Sequence, residues 1–189
     1  FDLLDVKQFT FKHCLEMYFE IDNNSEDNKL IDIKSEMEGG GTRTIINGYN
    51  KNKPNFDIYF GYIDDNIFNS FVNKHLELAG KKTKSDNCWE LIKQMVLEKK
   101  AILLVSDNNY VFFFVSNNYS HYAINACTKR DKIATYLLYE GIKWLTKNNY
   151  KLIHFGTFPK YVEGEKNINI SKFKKTLCNK MFTQYYLEL

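Results

Sequence analysis

Three apolar runs, 101–106, 110–117 and 120–127, follow one another with only Asp107-Asn108-Asn109 and Asn117-Asn118 between them. Runs of this length are strands, and Asn-rich and Asp-rich links of two or three residues accept the positive φ that tight hairpins need. The segment therefore predicts an antiparallel three-stranded meander, and a sheet of that kind needs helices or a second sheet to cover it. Helical periodicity supplies them. Asp64-Asp65 starts a helix through Phe68, Phe71, Val72, His75 and Leu78 that Gly80 stops, and Ser85-Asp86 starts another through Trp89, Ile92, Met95 and Val96. A third runs over 132–148, with Ile133, Leu137, Leu138, Gly141, Trp144 and Leu145 on its apolar side.

The flanks add further elements. Phe11–Ile21 alternates as a strand and ends in Asp22-Asn23-Asn24-Ser25. Lys29–Asn50 is helical in pattern but is broken by Gly39-Gly40-Gly41, each glycine costing about 1 kcal/mol in a helix interior, so the helix is expected to restart at Thr42. Phe56–Tyr62 and 151–155 read as strands, 170–177 as a short helix, and 181–187 as a last strand. The fold class expected from this order is α/β or α+β, a mixed, mainly antiparallel sheet flanked by helices.

Length allows one full core: 189 residues, 44% hydrophobic and 16% aromatic, fill one domain, and 2 prolines are too few for a linker-rich array. The 26 basic residues are nearly balanced by 23 acidic ones, which leaves no overall signature of DNA binding and makes any basic site local. Cys14, Cys88, Cys127 and Cys178 are too scattered for a zinc ribbon or a disulfide framework and read as reduced core thiols, with no metal expected. Tyr110–Val115 is the longest apolar run, far short of the roughly 18 residues of a membrane span. The chain starts at Phe1 with no leader, which reads as a trimmed start after a preceding segment. Residues 1–31 are then the strand and tail of that segment, packed on a domain spanning 32–189, and the expected location is cytoplasmic, peripheral to the membrane.

Several residue groups are candidates for chemistry. His154-Phe155-Gly156 closes a strand on glycine, and after a polar loop Asn167–Lys175 presents Lys172, Lys174 and Lys175 around Phe173. Lys81, Lys82 and Lys84 sit in a loop between helices, either as a solvated face or as a phosphate contact. Trp89 beside them either stacks on a base or sugar or belongs to the core. The acid–base groups are His75, His121, His154, Tyr122, Glu163 and Glu165. His154, inside a strand, reads as satisfied in the core or at its edge. Alternation sends His121 and Tyr122 to opposite faces of their strand. No Ser-His-Asp or Cys-His order is legible, so nucleophilic catalysis is unsupported.

Together, Thr42–Gly48, His75–Ser85 with Trp89, Tyr136–Trp144 and Asn167–Lys175 resemble the second half of Fem-type peptidyltransferases and related proteins of surface-polysaccharide loci, over roughly 32–189. The resemblance implies a GNAT-like fold. It also implies an activity: such proteins carry two GNAT-like domains and move an amino acid from aminoacyl-tRNA to a cell-wall peptide precursor. Lys174 matches the family's Phe-Lys lysine, which implies a place at the acyl-transfer centre, with Tyr122 and His121 as the accompanying catalytic candidates. Arg43, Lys82, Lys84 and Trp89 are the corresponding substrate-binding candidates. Where CoA-dependent GNAT enzymes have a glycine-rich turn, this chain reads Thr128-Lys129-Arg130-Asp131-Lys132, so Lys129, Arg130 and Lys132 are left to hold phosphate by charge alone. The family's Gly-Phe-Gly-like continuation is replaced by Thr176-Leu177-Cys178.

The function expected is transfer of an acyl or aminoacyl group to an amine of a cell-envelope or polysaccharide precursor. No tightly bound cofactor is expected. The donor is aminoacyl-tRNA or acyl-CoA, and the acceptor is a small molecule or is lipid-linked. The alternatives are a CoA-dependent N-acyltransferase of an amino sugar and a catalytically silent GNAT-like binding module.

Overall fold

The computed structural model describes residues 10–20, 40–51, 53–128, 132–157, 164–178 and 180–188. Seven strands form one sheet: β1 (Thr10–Glu20), β2 (Asp57–Tyr59), β3 (Ala101–Ser106), β4 (Asn109–Ser116), β5 (Tyr119–Ala126), β6 (Leu152–Thr157) and β7 (Lys180–Glu188). Five described helices accompany it: α1 (Gly40–Lys51), α2 (Asp65–Ala79), α3 (Asp86–Leu97), α4 (Ile133–Lys147) and α5 (Glu165–Lys175). The strand order is β2-β3-β4-β5-β6-β1-β7. Every neighbouring pair is antiparallel except β5 and β6. This is the mixed, mainly antiparallel sheet expected from the sequence.

Local chemistry sets the elements. Asp64 caps α2 by accepting from Asn66 N–H, and Gly80 ends it at φ 67°. Ser85 caps α3 by accepting from Cys88 N–H. The hairpin turns place Asp107 and Asn108 at φ 43° and 60° and Asn117 at φ 48°, where these short polar side chains are tolerated. Three expectations shift. Helix α1 begins at Gly40, inside the glycine run, because the first turn of a helix needs no intrahelical partner for its N–H groups. Strand β2 is shorter than expected, since the chain turns at Gly61, whose N–H donates to Val96 C=O at 2.8 Å. Helix α5 starts at Glu165 rather than near 170, its first turn being polar and so without apolar periodicity.

Two apolar layers sandwich the sheet. On one face Ile46 of α1 and Ile133, Leu137, Leu138, Ile142 and Leu145 of α4 pack with Phe113, Tyr122, Ile153, Phe155, Met17 and Phe19. Gly141 brings α4 against the sheet: a methyl there would stand 2.7 Å from Phe113 Cε2. On the other face Phe68 and Phe71 of α2 and Trp89, Ile92 and Val96 of α3 cover Leu103, Val105, Tyr110, Phe112 and Ile124. Among the described residues that second layer reaches β3, β4 and β5 and, through Tyr59, β2. No described helix is long and apolar enough to cross a membrane.

Candidate active site

The parallel pair β5 and β6 is joined only by Tyr119↔Leu152, Ser120↔Ile153 and His121↔His154. Beyond these the strands part: β5 runs on to Ala126 and β6 to Thr157 with no bridge between them. Both strands are bent where they separate. Phe112 is opposite Ile124 and Phe113 opposite Tyr122, which leaves Ala123 as the extra residue of a bulge in β5. On β6, Met17 is opposite Gly156 and Tyr18 opposite His154, which leaves Phe155 as a second bulge beside Gly156 at φ 96°. The two bends open a wedge in the sheet next to β6.

Lys174 stands at this wedge. Helix α5 is held to the end of β6 by the Ser171 hydroxyl, which donates to Thr157 C=O, and Leu177 and Cys178 anchor its C-terminal end in the core. The Lys174 ammonium lies 5.0 Å from the centre of the Tyr122 ring and 3.6 Å from where a side-chain carbon at Gly156 would be. It has no ion pair among the described residues. Burial lowers its pKa, with Cys178 and Glu16 pulling it back up; the Tyr122 ring face favours the charged form. A half-buried cation without a counter-ion, beside a gap between strands, is placed to meet a negative oxygen.

His121 and Tyr122 do point to opposite faces, and both border the wedge. Tyr122 turns toward Lys174 and is 4% exposed, and burial holds its phenol far above its ordinary range. It stays protonated at neutral pH and is suited to donating a hydrogen bond, not to taking a proton. His121 turns the other way, onto His154: the two Nδ1 atoms are 2.9 Å apart. Burial first, then His154 and Lys174, push the His121 pKa down to about 4, against a smaller upward pull from Glu16. It is therefore neutral near pH 7. His154 Nε2 in turn lies 2.8 Å from Glu16 Oε2, and the Thr157 hydroxyl donates to Glu16 Oε1 at 3.0 Å. Tyr18 stacks on the His154 ring at 4.8 Å, and Tyr119, its phenol pushed up to about 12 mainly by burial, lies on the same side.

Glu16 was not singled out from the sequence, and His154, though counted among the acid–base groups, was read as satisfied in the core or at its edge. Their only signal was a carboxylate and an imidazole inside apolar strands, and nothing local joins positions 138 residues apart.

The remaining candidates lie elsewhere. Trp89 is 7% exposed in the α2–α3 layer, boxed by Phe68, Phe71 and His75, with Lys84 Nζ over its ring at 5.3 Å. Lys82 pairs with Asp86 at 2.8 Å, and both line a shallow depression with Lys84. No hydrogen bond, ion pair or ring contact joins this group to Lys174 among the described residues. Lys132 precedes α4 in a left-handed conformation, φ 51°, and supplies no side-chain cap. Lys129, Arg130 and Glu163 lie outside the described residues, and the Arg43 side chain does as well. Lys172 is exposed, and Glu165 is exposed in the first turn of α5. Cys88, Cys127 and Cys178 are free thiols, and no described group of three or more His, Cys, Asp or Glu is arranged to hold a metal ion.

No protein-family model matches the sequence, and no curated protein does. Solved structures are similar. FemX aligns with a TM-score of 0.66 at 12% identity, over 92% of this chain and 61% of its own. L-PGS from Bacillus licheniformis aligns at 0.63 and 15%, over 95% and 61%. The C-terminal domain (DUF2156) of a putative lysylphosphatidylglycerol synthetase from Agrobacterium fabrum aligns at 0.64 and 10%, again over 95% and 61%. The chain thus spans about three fifths of each of these proteins. At such identities the likeness speaks for architecture alone. With its sheet unpaired beyond His121 and His154 between the parallel strands β5 and β6, the chain shares the fold of FemX and L-PGS.

Proposed function

We propose that this domain is an aminoacyl- or acyltransferase whose reaction centre is the wedge between β5 and β6, acting on an amine of a cell-envelope or polysaccharide precursor. The observation that carries the reading is Lys174, a half-buried ammonium between Gly156 and the Tyr122 ring that has no counter-ion among the described residues. Transfer by direct aminolysis needs a neutral amine, a stabiliser for the oxyanion that forms on the donor carbonyl, and an acceptor for the proton the amine loses. Lys174 suits the oxyanion. His121, neutral near pH 7, suits the proton. Tyr122 supplies the ring face that keeps Lys174 charged and in place.

The Fem-type sequence resemblance implies an aminoacyl donor and an amine acceptor, and the likeness to FemX supports the fold that goes with it. The likeness to a putative lysylphosphatidylglycerol synthetase favours a second reading for the acceptor alone, a lipid headgroup hydroxyl. Lys174 and His121 serve the same roles in either case. The test incubates the protein with charged tRNAs and acyl-CoA thioesters in separate reactions with candidate amines and with phosphatidylglycerol vesicles, and follows product by mass. Aminoacyl transfer to an amine that Lys174→Ala abolishes supports the proposal. Transfer from acyl-CoA alone moves the assignment to an amino-sugar N-acyltransferase, and no transfer from any donor leaves a silent binding module.

A further inference from the structure

The contacts from Thr157 to His121 form an unbroken polar line through three strands, and its hydrogen positions follow from chemistry. An ionised Glu16 only accepts, so the proton in its 2.8 Å contact belongs to His154 Nε2. A neutral His154 then has its lone pair on Nδ1. The 2.9 Å contact between the two Nδ1 atoms needs one proton, and His121 must provide it. The lone pair of His121 is thereby fixed on Nε2, away from the His154 contact, where no described residue hydrogen-bonds to it. We propose that Glu16 and His154 are positioning residues that, through this line, hold His121 in the tautomer with a bare Nε2 and carry away the charge when that nitrogen takes a proton.

The transfer balances. A proton arriving at His121 Nε2 releases the Nδ1 proton to His154 Nδ1. His121 ends neutral with its proton on Nε2, and His154 becomes an imidazolium whose Nε2–H still meets the Glu16 carboxylate. One proton enters, one N–H bond forms at His121 Nε2 while the other proton passes between the two Nδ1 atoms, and the positive charge comes to rest beside Glu16. That displacement matters because His121 is a poor place for charge: it is largely buried, and Lys174 and His154 both oppose its protonation. The charged groups that act on His121 come from three elements, Glu16 of β1, His154 of β6 and Lys174 of α5, and of His121 and His154 it is His154 that bonds the Glu16 carboxylate. The Tyr18 ring stacked on His154 and the Tyr119 phenol beside it stay uncharged in this range.

The use of the relay as the proton acceptor rests on the transferase reading, whereas the tautomers do not, so the two are tested separately. Two-bond proton–nitrogen NMR on histidine-labelled wild-type protein near pH 8 should find the proton on Nδ1 of His121 and on Nε2 of His154. Reversed tautomers overturn the proposal whatever the activity. Glu16→Gln, which removes the charge and lets the side chain donate as well as accept, should mix the His121 tautomers. It should also lower kcat/KM by about tenfold or more and shift the pH–rate profile, as loss of an oriented base does. If that variant does not fold, the wild-type spectra still decide. Confirmed tautomers with no transfer from any donor would retain the relay and discard the transferase reading.

Discussion

Strands β3 and β4 are apolar on both faces and lie between α4 on one side and α2 and α3 on the other, whereas in β6 and over 16–20 of β1 the buried apolar side chains, Ile153, Phe155, Met17 and Phe19, all face α4. On their second face β1 and β6 carry Glu16, Tyr18 and His154 in a bonded line. The first region uses burial to hold the sheet together. The second uses it to control charge, since low polarity is what lowers the pKa values of Lys174 and His121. Stability and chemistry are thus assigned to different parts of one sheet, with β5 as the border. Substitutions on the two sides should separate accordingly.

The largest effect is expected in the closed region. Phe71 is wholly buried and packs on Phe68, Trp89, Tyr110 and Phe112, so Phe71→Ala should cost about 3–5 kcal/mol in urea unfolding. The folded fraction should keep its full transfer rate; a loss of rate per folded molecule would break the division. Lys174→Ala should do the reverse. Turnover should fall about a hundredfold, equivalent to about 2.7 kcal/mol of barrier, with the thermal midpoint nearly unchanged. Lys172→Ala, on the exposed side of α5, should be close to wild type. A large stability loss without a rate effect would return Lys174 to a structural role.

Gly141→Ala should cost about 1–3 kcal/mol, because the new methyl meets Phe113 Cε2 at 2.7 Å and Leu104 Cδ1 at 3.3 Å in a filled layer. Thermal unfolding measures it. The remaining effect concerns acid. The His121 pKa is pushed down from 6.5 to about 4, so between these values the unfolded chain binds a proton that the folded chain refuses. Stability is then unaffected above about pH 6.5, falls as pH drops toward 4, and falls no further from this cause below that. His121→Gln should flatten that limb in a denaturation series, while Phe71→Ala should leave its slope unchanged. Parallel limbs in wild type and His121→Gln would remove His121 as its source.

What was legible in the sequence follows the same border. The caps at Asp64, Ser85 and Gly80 and the turns at Asp107-Asn108 and Asn117 were readable because each is decided by a few neighbouring residues. The placement of β1 between β6 and β7 was not, since strand pairing over such separations leaves no mark in local pattern. Lys174 came from a resemblance, and His121 and Tyr122 from alternation near the end of a hairpin. The bulge at Ala123, which sends Ile124 to the α3 side rather than the Tyr122 side, was invisible to an alternation rule that assumes an unbroken period of two. Glu16 remained hidden because its partners, His154 and Thr157, are 138 and 141 residues away.

That separation has a consequence for how the molecule is made. β1 leaves the ribosome long before either strand it pairs with, and it has no other partner in the sheet. β2 to β5, with α2 and α3, can assemble from neighbours as they emerge, but β1 must wait more than 130 residues before β6 and β7 exist to receive it. Closing so long a loop is slow. The domain should therefore acquire its solid half first and its reactive half last, so that the His121 tautomer is fixed only after β6 and β7 have been made. In the interval β1 is an unpaired strand edge, and a chaperone or a neighbouring nascent chain that captured it would trap a molecule that is folded but without its Glu16.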